Sequence, residues 1–405
     1  MINSLKYRIP SRWIHYDKSA ILQELAEAKG AIIALKTLPF QRRWVEALQA
    51  MQLKLEVAGT SKIEGADFTG GELEAAMKET PEQLFTRSQK QAHAAMQTYK
   101  WITTIPDDHP ITKELVCEIH RKIVTGGDDD RCEPGKTRPK DRNVIFGAPL
   151  HRGCEGGDEC SRAFERLMEA VQKGFSQHDP LIQALALHYH FAAMHPFEDG
   201  NGRTARALEA LLLQRAGMRD STFIAMSNFY YDEKTAYLTS LNEVWENDYD
   251  LTPFLKFGLR GIAFQSERLA REIRKNVSRE VFRSLIYDLF GRLQTKRKRI
   301  IAERQRAILL HLLGIDEVDW PTLYNDVIKL YTNVKNPDKA VIRDMNHLIA
   351  LGAIGWRKEE KEKDKEGKLF LRARLEWPTE ITETEFFKRA SMLPRAKEHV
   401  FVGRR

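Results

Sequence analysis

The sequence predicts a mainly all-α protein with one short strand in mid-chain and a winged helix-turn-helix at the C-terminal end. Three observations predict it. The first hundred residues are rich in Ala, Leu, Glu, Lys and Gln at helical spacing. Between 125 and 160 the chain is loop-rich, with Asn143–Phe146 alone reading as a strand. Beyond residue 300, three amphipathic segments precede two strand-like runs.

The chain has 405 residues and 46.8 kDa, which suits two or three domains. An apolar fraction of 42% and a charged fraction of 30% are those of a globular chain. No apolar run is long enough to span a membrane, so membrane chemistry is excluded. The start, MINSLKYRIPSRW, lacks a secretory apolar stretch, so a cytoplasmic enzyme or regulator is expected. Net charge is +7, all of it in 294–405, where 24 Lys and Arg face 17 Asp and Glu. That excess permits nucleic-acid contact without requiring it.

AILQELAEAKGAIIALK and RRWVEALQAMQLKLEVAG predict the first two helices, with breakers at Pro39, Gly59, Gly70-Gly71 and Pro81. Further helices are expected at 82–104, 110–124, 160–175, 180–194, 203–216, 231–246 and 252–293. In the helix at 180–194, Leu181, Leu185, His188 and Phe191 share one apolar stripe. The basic run at 295–299 marks a boundary. After it come RQRAILLHLL, a helix begun at Pro321 with Asp319 as cap, and a helix opened by Asn336-Pro337 and closed by Gly352. AIGWRK and KLFLRARLEW, joined by EEKEKDKEGK, complete the wing. The expected division is 1–105, 106–293 and 294–405.

Cys132, His151, Cys154 and Cys160 lie close in sequence but fit no standard zinc spacing, so reduced thiols are expected. Gly135-Lys136-Thr137 resembles the end of a phosphate-binding loop, yet Asp130 stands where the first glycine belongs. His188 and His190, at i and i+2, point to different helix faces and form no metal pair.

The informative segment is 195–206, His-Pro-Phe-Glu-Asp-Gly-Asn-Gly-Arg-Thr-Ala-Arg. Gly200, Asn201 and Gly202 let backbone N–H groups converge on an anion at a helix start. Arg203 and Arg206, one turn apart, bring two guanidinium forks to that end. Asp199 suits a Mg2+ shared with phosphate oxygens, and His195 is placed to take a proton from a hydroxyl. Such a set describes phosphoryl or nucleotidyl transfer.

At these residues the sequence resembles the Fic (AMPylator) family, whose signature is H-P-F-x-[DE]-G-N-G-R-x-x-R. The preceding LALHYHFAAMHPF and the upstream PGKTR and NVIFG segments are similar too, over roughly 110–265. The resemblance implies a helical core with a hairpin flap, ATP and Mg2+ as substrate and cofactor, and transfer of AMP to a Ser, Thr or Tyr hydroxyl of a protein target. That target could be the protein itself. His195 would be the base, and Asp199 the Mg2+ ligand. Gly200, Asn201 and Gly202 would form the anion hole, with Arg203 and Arg206 on the outer phosphates. Asn143, Val144, Ile145 and Phe146 would be the target-docking flap. Near the adenine, relatives show an aromatic pair beside a cation; this chain has Lys234, Tyr237 and Leu238, which puts Tyr237 on the ATP side. Thr60-Ser61-Lys62-Ile63-Glu64-Gly65 resembles the family's inhibitory pattern, with Glu64 paired to Arg206 in the γ-phosphate space. Two readings stand beside this one: removal of AMP with Glu64 positioning water, and a DNA-binding or dimerising winged helix. In the expected recognition helix, however, Lys339 and Arg343 are opposed by Asp338 and Asp344.

Overall fold

The computed structural model describes residues 5–39, 42–147, 150–218, 224–293, 296–361 and 364–392. It forms two compact units, Met1–Arg271 and Glu272–Arg405.

In the first unit the order is β1 (Leu5–Lys6), α1 (Leu22–Thr37), α2 (Arg42–Ile63), α3 (Gly70–Lys78), α4 (Arg87–Ile102), α5 (Lys113–Val124), β2 (Ile145–Phe146), β3 (His151–Arg152), α6 (Asp158–Lys173), α7 (Pro180–Met194), α8 (Asn201–Leu213), α9 (Met226–Asp232) and α10 (Lys234–Glu246). α11 (Thr252–Gly291) begins in this unit. Local chemistry sets the helix starts. The Thr69 hydroxyl accepts from Glu72 N–H while the Glu72 carboxylate accepts from Thr69 N–H, a reciprocal cap. Asp179 caps α7 through Leu181 N–H, with Pro180 in the first turn. One hydrophobic core draws on helices from both sides of residue 105.

α7 is apolar almost all round and lies in the middle of this core, antiparallel neighbour to α8 through a six-residue turn. The helix expected at 231–246 is two helices: Glu233, at φ −107° and ψ 36°, breaks it, and the first begins at Met226. The helix expected to start at 203 starts at Asn201, and its end widens into a π turn over Gln214–Met218.

β2 and β3 form the hairpin, pairing Ile145 with Arg152 and Phe146 with His151. The strand is shorter than Asn143–Phe146. β1, which helical composition gave no reason to expect, joins β3 in parallel, so the order is β1-β3-β2 and β2 is the edge.

The second unit holds α12 (Lys296–Leu313), β4 (Val318–Asp319), α13 (Trp320–Val327), α14 (Pro337–Ala350), β5 (Ile354–Lys361), β6 (Asp364–Ala373), α15 (Trp377–Glu380) and α16 (Glu383–Met392) around its own core. Asp319 caps α13 through Thr322 N–H at 3.0 Å. Asn336 precedes α14 but makes no side-chain cap bond. The strands run into the charged EEKEKDKEGK segment rather than stopping before it; residues 362–363 lie outside the described residues. Asp344 is buried and bonded to Arg304, Arg343 and the Tyr331 hydroxyl. Arg343 is thus engaged within its own unit. Among the described residues, no helix is long and apolar enough to cross a membrane.

Candidate active site

The turn between α7 and α8 begins at His195, whose backbone is left-handed at φ 54°. Few residues hold this conformation unaided, and here neighbours enforce it. Arg138, buried to 1% exposure, donates from Nε to the His195 carbonyl at 2.8 Å. It also donates to the carbonyls of Arg142 at 2.7 Å and Cys154 at 2.6 Å. A Cβ on Gly153 would stand 2.7 Å from the Met194 carbonyl oxygen, so only glycine lets the flap strand come this close.

The His195 Nδ1–H donates to the Ala192 carbonyl at 2.9 Å, which leaves Nε2 as the proton-accepting nitrogen. Phe146 of the flap stacks on the imidazole, 3.9 Å between centroids and 11° between planes. Burial pushes the imidazole down to about 4, so it is neutral at pH 7.

Asn201 closes the turn on itself. Its side chain accepts from Phe197 N–H and donates to the Phe197 carbonyl, both at 2.9 Å. Gly200, at φ 74°, occupies a left-handed position pressed on α5, where a Cβ would meet Val124 at 2.5 Å. Its N–H donates to the Asp199 carboxylate at 2.6 Å. The N–H groups of Asn201 and Gly202, in the first turn of α8, have no partner within the helix and lie at its positive end.

The two arginines take different partners. Arg203, 2% exposed, donates to Asp128 and, at 3.4 Å, to Asp199. Asp128 also accepts from Arg87 and Gln91, and although burial raises its carboxyl, Arg203 and these donors hold it below the usual range. Arg206 donates to the Thr60 hydroxyl at 2.9 Å, the Thr60 carbonyl at 3.2 Å and Glu64 Oε1 at 2.6 Å. One helical turn of spacing does not bring both forks to one group, because different carboxylates claim them, Asp128 for Arg203 and Glu64 for Arg206.

Glu64 is in the last residues before α2 is closed by Gly65 at φ 88°. A Cβ built on Gly202 would lie 2.3 Å from Glu64 Oε1, so the carboxylate rests on the first turn of α8. Burial raises the Glu64 carboxyl, but Arg206, with Arg203 and His195 beyond it, brings the net shift below the ordinary value. α2 is seated by α9. A Cβ on Gly59 would stand 2.4 Å from the Ser227 backbone, and Glu56 accepts from Ser227 N–H at 2.8 Å and from its hydroxyl. Lys234 donates to the Ile63 carbonyl at 3.0 Å, capping the same helix end.

Tyr237, placed on the ATP side by the sequence, is buried; its hydroxyl lies 2.9 Å from His188 Nε2, and burial pushes it up to about 12. His188 in turn meets Glu209, which accepts from the Tyr230 hydroxyl at 2.8 Å. Next to the flap, a small cleft is lined by Phe146, His151, Tyr189, Leu238, Leu241 and Trp245. The Tyr189 hydroxyl and His151 Nδ1 are buried there without a hydrogen-bond partner. Cys154 and Cys160 are buried; their thiols face the carbonyls of Met194 and Pro196. Among the described residues, no three His, Cys, Asp or Glu side chains cluster as a metal cage.

His120, Asp128 and Arg138 escaped the sequence reading. Arg138 closes the PGKTR run that carries the family resemblance, which was the one available signal.

The site is a helix hairpin under a β-flap, and its turn holds a neutral imidazole, a carboxylate and the open end of the second helix. Residues 110–213 match the Fic/DOC family model. The chain is 34% identical over 165 residues to a protein adenylyltransferase Fic of Culex quinquefasciatus, 40% of this chain and 30% of that protein. With the protein adenylyltransferase fic-1 of Caenorhabditis briggsae it shares 28% over 155 residues, 37% of this chain and 27% of the relative. The chain therefore spans under a third of the length of these curated relatives. In fold it is similar to a Fic family protein from Desulfovibrio desulfuricans, with TM-score 0.53 and 18% identity over 91% of this chain and 98% of that one. It is likewise similar to a segment of Fic-1 from C. elegans, with TM-score 0.53 and 18% identity over 64% of this chain and 74% of that chain.

Proposed function

We propose that this protein is an adenylyltransferase that moves AMP from ATP to a hydroxyl side chain of a protein, and that Glu64 restrains it. The observation that carries the reading is His195, whose Nδ1 is committed to Ala192 and whose Nε2 is left as base beside the open N-terminus of α8. The relatives' names, protein adenylyltransferase, support the same chemistry and ATP as the donor.

In this reading a Ser, Thr or Tyr hydroxyl of the target attacks the α-phosphorus and its proton passes to His195 Nε2. The bond to the bridging oxygen of the β-phosphate breaks, and pyrophosphate leaves. The N–H groups of Asn201 and Gly202 with the helix end receive phosphate charge. Arg206 seats the γ-phosphate once freed of Glu64, and Arg203 acts from behind by fixing Asp128 and Asp199. Tyr237, 3% exposed, has no ring face open to the adenine base.

Asp199 suits Mg2+: one carboxylate, 28% exposed, keeps an oxygen facing Arg131 at 3.7 Å rather than closed by a short bond. A lone carboxylate completed by phosphate oxygens is ordinary Mg2+ coordination. When bound, the ion would neutralise phosphate charge at the reacting centre.

The edge strand β2 offers an unpaired backbone to an extended target segment, and Ile145, 57% exposed, offers it an apolar contact. We read the second unit as a protein-docking module rather than a DNA reader, since Arg343 is spent on Asp344 and leaves α14 a sparse basic face. The test of the reading is label transfer. Label should appear on protein from α-labelled ATP and not from γ-labelled ATP; transfer of the γ-label would overturn it, and a salt-dependent shift of duplex DNA would restore the DNA-binding reading.

A further inference from the structure

We infer that His120 is a positioning residue that holds the Asp199 peptide in place, through a contact outside the signature segment. The inference rests on the transfer reading for its consequence, though not for its geometry. His120, buried on α5, donates from Nε2 to the Asp199 carbonyl at 3.0 Å. Its Nδ1 accepts from Gly135 N–H at 2.9 Å, which fixes the tautomer with the proton on Nε2. The ring stacks on Phe197 at 3.7 Å and 10°, and a Cβ on Gly200 would come within 3.3 Å of it.

Asp199 is thereby held from two sides. Gly200 N–H and Arg203 orient its carboxylate, while His120 fixes its backbone from another helix. This gives the Gly135 turn a task that its likeness to a phosphate loop does not suggest. With φ at 79°, Gly135 aims its N–H at the imidazole, and Lys136 pairs with Glu133 rather than reaching the site. An outer contact of this kind sets where a metal-binding carboxylate points, and its loss typically costs metal affinity about 10- to 100-fold.

Two variants separate the ring's hydrogen bonds. The amide nitrogen in His120→Gln reaches the place of Nε2 and keeps the donor to Asp199. The amide oxygen in His120→Asn reaches the place of Nδ1 and keeps only the Gly135 link. The readouts are binding of a fluorescent ATP analogue across a Mg2+ titration and in EDTA, together with amide hydrogen exchange of the 197–202 segment. His120→Asn should need about 10-fold more Mg2+ for the same gain in nucleotide affinity, bind as wild type in EDTA, and exchange faster over 197–202. His120→Gln should stay close to wild type in all three. Equal behaviour of the two variants, whether both normal or both impaired, overturns the inference, because packing of the ring would then be its whole role. Should His120→Asn not fold, His120→Gln decides alone: a kept Mg2+ response supports the donor role and a lost one overturns it. A wild-type protein without any Mg2+-dependent nucleotide affinity would sink the transfer reading, while the exchange comparison would still judge His120.

Discussion

Arg206 and Glu64, 142 residues apart, meet through a 2.6 Å hydrogen bond at the start of the helix whose open end is the proposed phosphate site. Arg206 is buried and Glu64 is 37% exposed on its side chain. The pair is therefore partly screened, and its strength lies at the lower end for a charged hydrogen bond. Glu64→Gly should raise AMP transfer by about 10-fold, equivalent to roughly 1.4 kcal/mol. Arg206→Ala should give no such gain, and the double variant should follow Arg206→Ala, as measured by initial rates on one target. If removing Glu64 instead abolishes AMP release from a pre-modified protein and leaves transfer unchanged, Glu64 serves the reverse reaction.

His195→Ala should lower transfer on the order of 100- to 10,000-fold while nucleotide binding persists, since the imidazole acts on the hydroxyl and not on the phosphates. The pH profile carries a second check. Burial lowers His195 to about 4, so the base is already neutral at pH 6 and the acid limb of the rate should lie near its depressed value rather than near 6.5.

Asp199→Ala should flatten the Mg2+ dependence of transfer and lower its rate, because the cation loses its carboxylate. An unchanged Mg2+ titration would reduce Asp199 to a turn residue that caps Gly200.

Gly59→Ala tests how Glu64 is seated. The added carbon meets the Ser227 backbone at 2.4 Å, so α2 must shift from α9. Stability should fall by about 1–3 kcal/mol, and transfer should rise with it, as for Glu64→Gly. Denaturant unfolding and transfer rate on one preparation measure both.

Glu56 contributes a pH term of definite sign. Burial, against the bonds from Ser227 and Tyr99, raises its carboxyl from 4.5 to about 7. The folded state therefore binds a proton that the unfolded chain has released between these values. Relative to Glu56→Gln, wild-type stability should be full below pH 4.5 and decline as pH rises to about 7, by at most about 1.4 kcal/mol for each unit. A flat difference across this window contradicts a carboxyl whose burial outweighs its hydrogen bonds.

The proposed site was legible where its parts are contiguous. His195, Asp199 and the glycines need one turn between two helices, and capping and backbone rules reach that far. The four-residue spacing of Thr60 to Glu64 likewise points one helix end at a single place. Contacts that depend on distant segments left no local pattern. His120 reaches Asp199 across 79 residues with nothing in its neighbourhood to mark it, and Arg138 reaches the His195 carbonyl across 57 with only its place in the PGKTR run as a signal. The i, i+3 spacing of Arg203 and Arg206 was readable, but Asp128, which draws Arg203 aside, was not. β1 has two residues, too few to show alternation, and it forms only because β3 offers an edge. The basic run at 295–299 suggested a boundary there, whereas the compact units divide at Arg271 and Glu272, inside a 40-residue helix with no break in its pattern.

The central claim is tested most directly by intact mass of the purified protein after incubation with ATP and Mg2+, comparing wild type, Glu64→Gly and the double variant Glu64→Gly with His195→Ala. The account predicts one or more added AMP groups on Glu64→Gly, little on wild type and none on the double variant. Equal modification of wild type and Glu64→Gly, or AMP added without His195, would contradict it.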